Sequence, residues 1–166
     1  MGVMEISVTP ASVADAAELA DVAAATFPLA CPDTVAAADV AAFIAAHLSE
    51  QRFGEYLADP RRVVLAAVDR GRIIGYAMLI RGSDGIELSK MYVLPSHHNT
   101  GAAAALMQSG IDWAAQTGAT AVWLGVNQKN ARAQRFYRKH GFDVTGQRTF
   151  QVGADTEHDF LMSRRL

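Results

Sequence analysis

A short polar turn over residues 95–101 carries the pattern with the clearest chemical meaning. A β-rich run that ends at Leu94 meets Pro95, and Gly101 opens an alanine-rich helix. Backbone N–H groups at a helix start have no partner within the helix, and with the helix dipole they favour an anion. Gly101 lets the backbone approach that anion closely. The turn therefore indicates a pyrophosphate site, although an ordinary capped turn before a tightly packed helix is an alternative interpretation.

Two adjacent histidines in this turn, His97 and His98, raise the question of a metal site. Neighbouring residues rarely aim at one ion, and no nearby Cys, Asp or Glu completes a metal-ligand spacing. A Walker-type phosphate site is also disfavoured, because no Gly-Lys-Ser/Thr follows the glycine. We therefore predict no metal, and an anion that is bound by backbone amides.

The elements around the turn predict a mixed sheet flanked by helices. Apolar periodicity and turn residues predict strands over 5–10, 62–69, 72–81, 84–94, 120–126, 143–152 and 156–166. Helices are predicted over 12–27, 34–48, 49–59, from Gly101 to Gly118, and over 130–142, with a break at 28–33. Ser12, Thr34 and Ser49 are the predicted N-caps, and Arg70-Gly71 signals a hairpin.

Length and composition favour one globular domain that covers residues 1–166. Hydrophobic residues make up 51% of the chain and charged residues 19%, and no apolar run is long enough to cross a bilayer. The first ten residues lack a basic region and include Glu5, which does not resemble a signal peptide. Cys31 is the only cysteine, so no intrachain disulfide can form. These features predict a cytoplasmic protein without a membrane partner.

The net charge of −2 conceals an asymmetry between the two parts of the chain. Residues 1–60 contain nine acidic side chains and one basic side chain, a net charge of −8. Residues 61–166 contain eight acidic and fourteen basic side chains, a net charge of +6. The division suggests a bipartite site whose ends bind groups of opposite charge, and a drift in surface composition explains it equally well.

Two motifs resemble those of the GCN5-related N-acetyltransferases (GNAT). The segment VLPSHHNTGAAAAL (93–106) is similar to the acetyl-CoA loop of that family, Val-x-Pro followed by Gln/Arg-x-x-Gly-x-Gly/Ala, with His98 in the Gln/Arg place. The segment VNQKNARAQRFYRKHGF (126–142) is similar to the late strand-to-helix signature. It matches at Asn130, Ala133, Phe136, Tyr137, Gly141 and Phe142. The resemblance implies the GNAT fold: an α/β (α+β) architecture with a mixed, mostly antiparallel sheet of six to seven strands flanked by helices.

The same resemblance implies acetyl-CoA as co-substrate and assigns the residues that bind it. Backbone amides of the turn are expected to bind the pyrophosphate: Asn99, Thr100, Gly101, Ala102, Ala103 and Ala104. Backbone groups of Met91, Tyr92 and Val93 are expected to pair with the pantetheine arm as an added strand would. Asn130 is expected to bind the pantetheine or to cap the last helix, two compatible roles.

Two side chains become candidate catalysts through this resemblance. Glu87, eleven positions before His98, lies where many family members carry the general base, although a surface carboxylate on a strand is the alternative interpretation. Tyr137 matches the tyrosine that protonates the coenzyme A thiolate, and its helical spacing equally suits a core aromatic. Relatives that place a glutamate on the strand before the last helix have it where this chain has Gly125, so that variant is excluded.

The acceptor is expected to be a small cationic amine, with a polyamine as the leading candidate. The first third of the chain is similar to the PaiA-like branch, whose members acetylate polyamines. Among its acids, Asp33, Asp39, Glu50 and Glu55 are the better placed to face the acceptor. Acetylation of a protein α-amine or lysine is an alternative, as is a non-catalytic acyl-CoA-binding module. No nucleic-acid partner is expected, and a homodimer is left open.

Overall fold

Seven strands form one sheet in the part of the chain that the computed structural model describes, residues 5–83 and 85–166, with backbone only at 150 and 152. The spatial order is β1-β2-β3-β4-β5-β7-β6. The strands are β1 (Ile6–Pro10), β2 (Arg62–Asp69), β3 (Arg72–Gly82), β4 (Gly85–Val93), β5 (Ala121–Asn127), β6 (Asp143–Val152) and β7 (Asp155–Arg165). Only the β4–β5 ladder is parallel among these described strands. The predicted mixed, mostly antiparallel α/β sheet is therefore confirmed.

Five α-helices flank this sheet within the described residues. They are α1 (Ala16–Ala30), α2 (Ala37–His47), α3 (Glu50–Ala58), α4 (Ala102–Gln116) and α5 (Ala131–Lys139). One-turn 3-10 helices precede α1 at Val13–Asp15 and α4 at Pro95–His97. None of the described helices combines the length and apolarity needed to cross a membrane.

The sheet separates two apolar cores because alternate residues of a strand point to opposite faces. On one face, Leu79 and Leu106 belong to a cluster formed by α4 and the inner strands, with side chains of α5 packed against it. On the other face, Phe27, Phe53 and Tyr76 belong to a cluster built by α1 to α3. Among the described side chains, none from β5, β6 or β7 belongs to the second cluster, so helices cover their side of that face less completely.

The parallel contact between β4 and β5 is short and creates an opening in the sheet. Their register comprises Ile86↔Val122 and Glu87↔Trp123, while β4 continues to Val93 and β5 to Asn127. A register shift between Met78 and Leu79 of β3, opposite β4, accompanies the divergence. The separated strand ends leave backbone groups of β4 without a neighbouring strand on one side, which prepares the sheet to pair with an extended ligand.

The predicted boundaries near residue 30 were wrong at two points. Helix α1 continues through Pro28 to Ala30 instead of ending at Phe27, because the Phe27 ring is buried and stacks on Phe43 at 4.6 Å between centroids. The helix ends at Cys31, whose backbone is extended as expected for a residue before a proline.

Thr34 is not an N-cap, because the amide of Val35 donates to the carbonyl of Pro32 and forms a turn. Helix α2 begins only at Ala37. Ser49 does cap α3, since its hydroxyl accepts from the amide of Arg52 at 3.1 Å. The predicted strand over 84–94 begins in the structure at Gly85, and Asp84 lies outside the described residues.

Candidate active site

Two cavities meet at the opening between β4 and β5. The turn cleft is bordered by the 97–104 segment, the end of β4 and helix α5. The acidic pocket lies over the sheet face of β4, β5, β6 and β7, beneath the end of α1 and part of α2. Six residues line both cavities: Ala30, Met91, Tyr92, Asn130, Ala133 and Tyr137. A reaction between a ligand in each cavity would therefore take place beside these six residues.

His97 connects the turn to a distant strand. Its Nε2 lies 2.8 Å from Oδ2 of Asp69, a buried carboxylate at the end of β2, and its Nδ1 lies 2.8 Å from Oγ of Ser96. The ring also lines the turn cleft. His97 thus fixes the position of the turn relative to the β2–β3 hairpin.

The other polar side chains of the turn are used within it. His98 Nε2 lies 2.9 Å from the carbonyl oxygen of Val93, and the hydroxyl of Thr100 donates to the carbonyl of His97. Among the described residues there is no group of three His, Cys, Asp or Glu side chains that could hold a metal. The crowding of polar residues in this turn is explained by the bonds that maintain its shape.

The backbone of the turn has the conformation that an amide-lined anion site requires. Asn99 and Gly101 are left-handed, with φ of 64° and 88°, a region that glycine enters freely and asparagine tolerates. The amide of Ala105 makes the first helical bond, to the carbonyl of Gly101. The preceding amides lie at the start of α4, where a helix has no internal partner for them. Five predicted residues line the cleft here: Asn99, Gly101, Ala102, Ala103 and Ala104; Thr100 does not.

Tyr137 lies where the two cavities meet. Its half-buried ring packs edge-on against Phe136 and Phe142, with centroids 5.6 Å and 6.0 Å away. Burial raises the pKa of Tyr137 to about 12. Burial also raises the pKa of the neighbouring Tyr92, and the Tyr137 phenol adds to that effect. Both hydroxyls therefore remain protonated at neutral pH, the form in which a phenol can donate a hydrogen bond.

The structure shows one of the two roles expected for Asn130, the N-cap of α5. Its Oδ1 accepts from the amide of Ala133 at 3.1 Å and caps α5. The same side chain lines both cavities. The cap places Tyr137, two turns further along the helix, at the opening of the sheet.

Three carboxylates line the acidic pocket, and only one of them was predicted. Glu87 on β4, the predicted base, is half-buried, whereas Glu157 and Asp159 on β7 are almost fully buried. None of the four acids favoured in the first third of the chain lines the pocket: Asp33, Asp39, Glu50 and Glu55. That expectation was wrong, because Asp33, Glu50 and Glu55 are exposed to solvent and the Asp39 carboxylate lies beside Gly153 in the turn between β6 and β7. Glu157 and Asp159 could have been found from their i, i+2 spacing on a predicted strand, which places both side chains on the same face of the sheet.

Two cations accompany these acids. Arg148 Nε donates to Asp159 Oδ2 at 3.3 Å, and its guanidinium lies 5.8 Å from the centre of the Trp123 ring. A Cβ at Gly125 would overlap this guanidinium, so the missing side chain provides the space that Arg148 occupies. Burial lowers the pKa of Lys90, and the carboxylate of Glu87 opposes that effect.

Helix α5 adds positive charge to the turn cleft. Arg132 and Lys139 line it, whereas Arg135 and Arg138 are exposed and do not. The cleft therefore combines unpaired amides at a helix start with two cationic side chains, a combination suited to a ligand with several phosphates.

Comparisons with known proteins agree with this arrangement. The family model described as the acetyltransferase (GNAT) family matches residues 24–142. An uncharacterised N-acetyltransferase of Mycobacterium tuberculosis is 61% identical over 153 residues, which cover 92% of this chain and 98% of the relative. The streptothricin acetyltransferase of Streptomyces lavendulae is 31% identical over 111 residues, 64% of this chain and 58% of that enzyme.

Among solved structures, the PaiA N-acetyltransferase of Thermoplasma acidophilum in complex with coenzyme A has the same fold. It superposes with a TM-score of 0.86 at 20% identity, over 98% of this chain and all of that one. The family match covers most of the chain and includes both sequence motifs, residues 93–106 and 126–142. The chain therefore belongs to the acetyltransferase (GNAT) family and is an acetyl-CoA-dependent acetyltransferase.

Proposed function

We propose that this enzyme transfers the acetyl group of acetyl-CoA to a primary amine of a small cationic molecule, with polyamines as the leading class. The acidic pocket carries the proposal, because it presents Glu87, Glu157 and Asp159 against Lys90 and Arg148. A pocket with excess negative charge attracts a cation and raises its local concentration. The PaiA-like resemblance supports the same class of acceptor.

The coenzyme is proposed to occupy the turn cleft. Its pyrophosphate would accept from the amides of residues 99–104, and Arg132 and Lys139 would face the phosphates of the nucleotide end. The Val93 carbonyl already accepts from His98, so the pantetheine would pair with the remaining backbone groups of Met91, Tyr92 and Val93. The thioester would then lie beside Tyr137, where both cavities meet.

Each group in this arrangement has a chemical task. Glu87 removes a proton from the ammonium, and the amine nitrogen attacks the thioester carbonyl carbon. A backbone amide of residues 91–93 stabilises the oxyanion. The carbon–sulfur bond then breaks and Tyr137 donates its proton to the coenzyme A thiolate, while the nitrogen, which becomes the amide, gives up its second proton and restores the phenol. Glu87 lies four positions before Met91 on the strand, roughly 13 Å at the usual rise, so the first proton would pass through water.

The Glu87→Gln variant tests the proposed base. We expect kcat/KM for the amine to fall most at neutral pH and least at high pH, where more of the amine is already deprotonated. Glu55→Gln is the matched control, because Glu55 is exposed on α3 and lines neither cavity. A pH–rate profile of Glu87→Gln that coincides with that of Glu55→Gln would contradict the role of Glu87.

Ionic strength tests the proposed acceptor. We expect kcat/KM for spermidine to fall as salt rises, because salt screens the attraction between the pocket and a polycation over about 10 Å at 0.1 M. A monoamine should show a shallower dependence. Coenzyme A release measured with a panel of amines and peptides provides the comparison. An enzyme that acetylates peptides but ignores spermidine at every salt concentration would favour a protein acceptor, and no release with any small amine of the panel would contradict a small cationic acceptor.

A further inference from the structure

Glu157 is a buried carboxylate that no cation of the described chain neutralises. Only 5% of its surface is exposed. Asp159 forms an ion pair with Arg148, whereas Glu157 forms no ion pair with any described Lys, Arg or His side chain. Its hydrogen bond is a long one, from Asn127 Nδ2 at 3.4 Å. A bound cation would supply the compensation that the described chain does not provide.

The energetic argument follows from the cost of burying charge. An ionised carboxylate that leaves water without a cation and without several hydrogen bonds is strongly disfavoured. The other two acids of the pocket have compensation, because Arg148 pairs with Asp159 and the charge of Lys90 acts on Glu87. Glu157 therefore accounts for the uncompensated negative charge of the pocket, and a bound ammonium group would supply the missing partner.

The position of Glu157 separates it from the reacting centre. It lines the acidic pocket but not the turn cleft, whereas the amine that attacks the thioester must lie near Tyr137 and Met91, which line both. Its charge acts on Cys31, at the end of α1 above the pocket. It also borders an adjoining depression, which is lined by Thr34, residues 127–129 and residues 155–158. A cation beside Glu157 would therefore lie away from the amine nitrogen that attacks the thioester.

We propose that Glu157 binds a second ammonium group of the acceptor, so that the pocket selects amines with two cationic centres. This inference rests on the proposed function and adds the residue that recognises the far end of the substrate. Asp159 and Arg148 neutralise each other in this arrangement, and their ion pair lines the pocket beside Glu157. One ammonium would occupy the Glu157 site while the other, after losing its proton, reaches the acetyl group.

The test compares putrescine with n-butylamine, which has the same carbon chain and a single amine. Wild-type enzyme should show a lower KM for putrescine than for n-butylamine. Glu157→Gln should raise the KM for putrescine by about 10–100-fold, the effect of losing a charge-assisted bond. Its kcat for putrescine and its KM for acetyl-CoA should change much less, and the loss with n-butylamine should be far smaller. Glu157→Asp keeps the charge and should retain most of the preference.

Three outcomes would overturn the inference. Equal losses of kcat with both amines would place Glu157 at the reacting nitrogen, and identical constants for Glu157→Gln and the control Glu55→Gln would remove it from recognition; both leave the proposed function intact. Absence of coenzyme A release from wild-type enzyme with every small amine would refute the proposed function itself. Thermal unfolding checks folding, and Glu157→Gln should unfold at no lower temperature because it removes an uncompensated buried charge.

Discussion

Replacing Tyr137 by phenylalanine is expected to lower kcat by about 10–10³-fold, the usual contribution of a positioned acid. The change deletes one hydroxyl and preserves the ring that packs against Phe136 and Phe142. The KM for acetyl-CoA should therefore change little. Steady-state rates with saturating acetyl-CoA and amine measure the effect. The loss arises because the thiolate would leave without a proton donor at its side.

Tyr56→Phe provides the matched control for this experiment. The Tyr56 hydroxyl donates to the carbonyl of His47 at 2.7 Å, and the residue lines neither cavity. Its loss should reduce stability by about 1 kcal/mol, the usual net value of a hydrogen bond, and leave kcat unchanged. If Tyr137→Phe matched Tyr56→Phe in kcat, Tyr137 would be only a core aromatic.

The pH dependence of kcat in the wild-type enzyme also tests the role of Tyr137 as an acid. Tyr137 acts in its protonated form, and burial raises its pKa to about 12. A raised pKa extends the range over which the acid keeps its proton, so no decline of kcat should arise from this group up to about pH 10. A falling limb between neutral pH and that value, absent in Tyr137→Phe, would show that the phenol ionises earlier than its surroundings imply.

Local sequence patterns predicted the elements that position the site. The β-rich runs and the turn residues between them indicated β2 to β5, and Arg70-Gly71 forms the predicted hairpin with both residues at positive φ. The helical spacing of Ala133, Phe136 and Tyr137 gave the packed face of α5, which the structure confirms. These features are determined by residues that are close together in the sequence, so local patterns are sufficient to predict them.

Local sequence patterns could not predict the contacts between distant segments. His97 meets Asp69, 28 positions away, only because the β2–β3 hairpin ends beside the turn. Arg148 meets Asp159 through the register of β6 with β7, over a glycine of β5. The acidic excess of residues 1–60 was visible in the sequence, but tertiary packing determines which carboxylates line the pocket, and the two buried ones that do so lie on β7.

The Gly101→Val variant is expected to weaken acetyl-CoA binding by at least about tenfold. The expected loss comes from displacing the phosphate from a turn amide: a hydrogen bond to a charged group contributes about 1.5–3 kcal/mol, and each 1.4 kcal/mol is a factor of ten in affinity. Gly101 also has φ of 88°, and the strain that this places on valine lowers stability. A Cβ there would meet no protein atom within 4 Å and would project into open space at a residue that lines the cleft, where the pyrophosphate is proposed to bind. Calorimetric titration with acetyl-CoA measures the loss.

Gly118→Val separates the binding effect from backbone strain. Gly118 has φ of 83° and equally open surroundings just beyond the other end of α4, but it does not line the turn cleft. The two variants should therefore lose similar thermal stability, whereas only Gly101→Val should lose affinity for acetyl-CoA. Equal affinities in both variants would contradict binding by the turn backbone. The anion would then depend on side chains such as Arg132 and Lys139, and their replacement by alanine would produce the loss expected here for Gly101→Val.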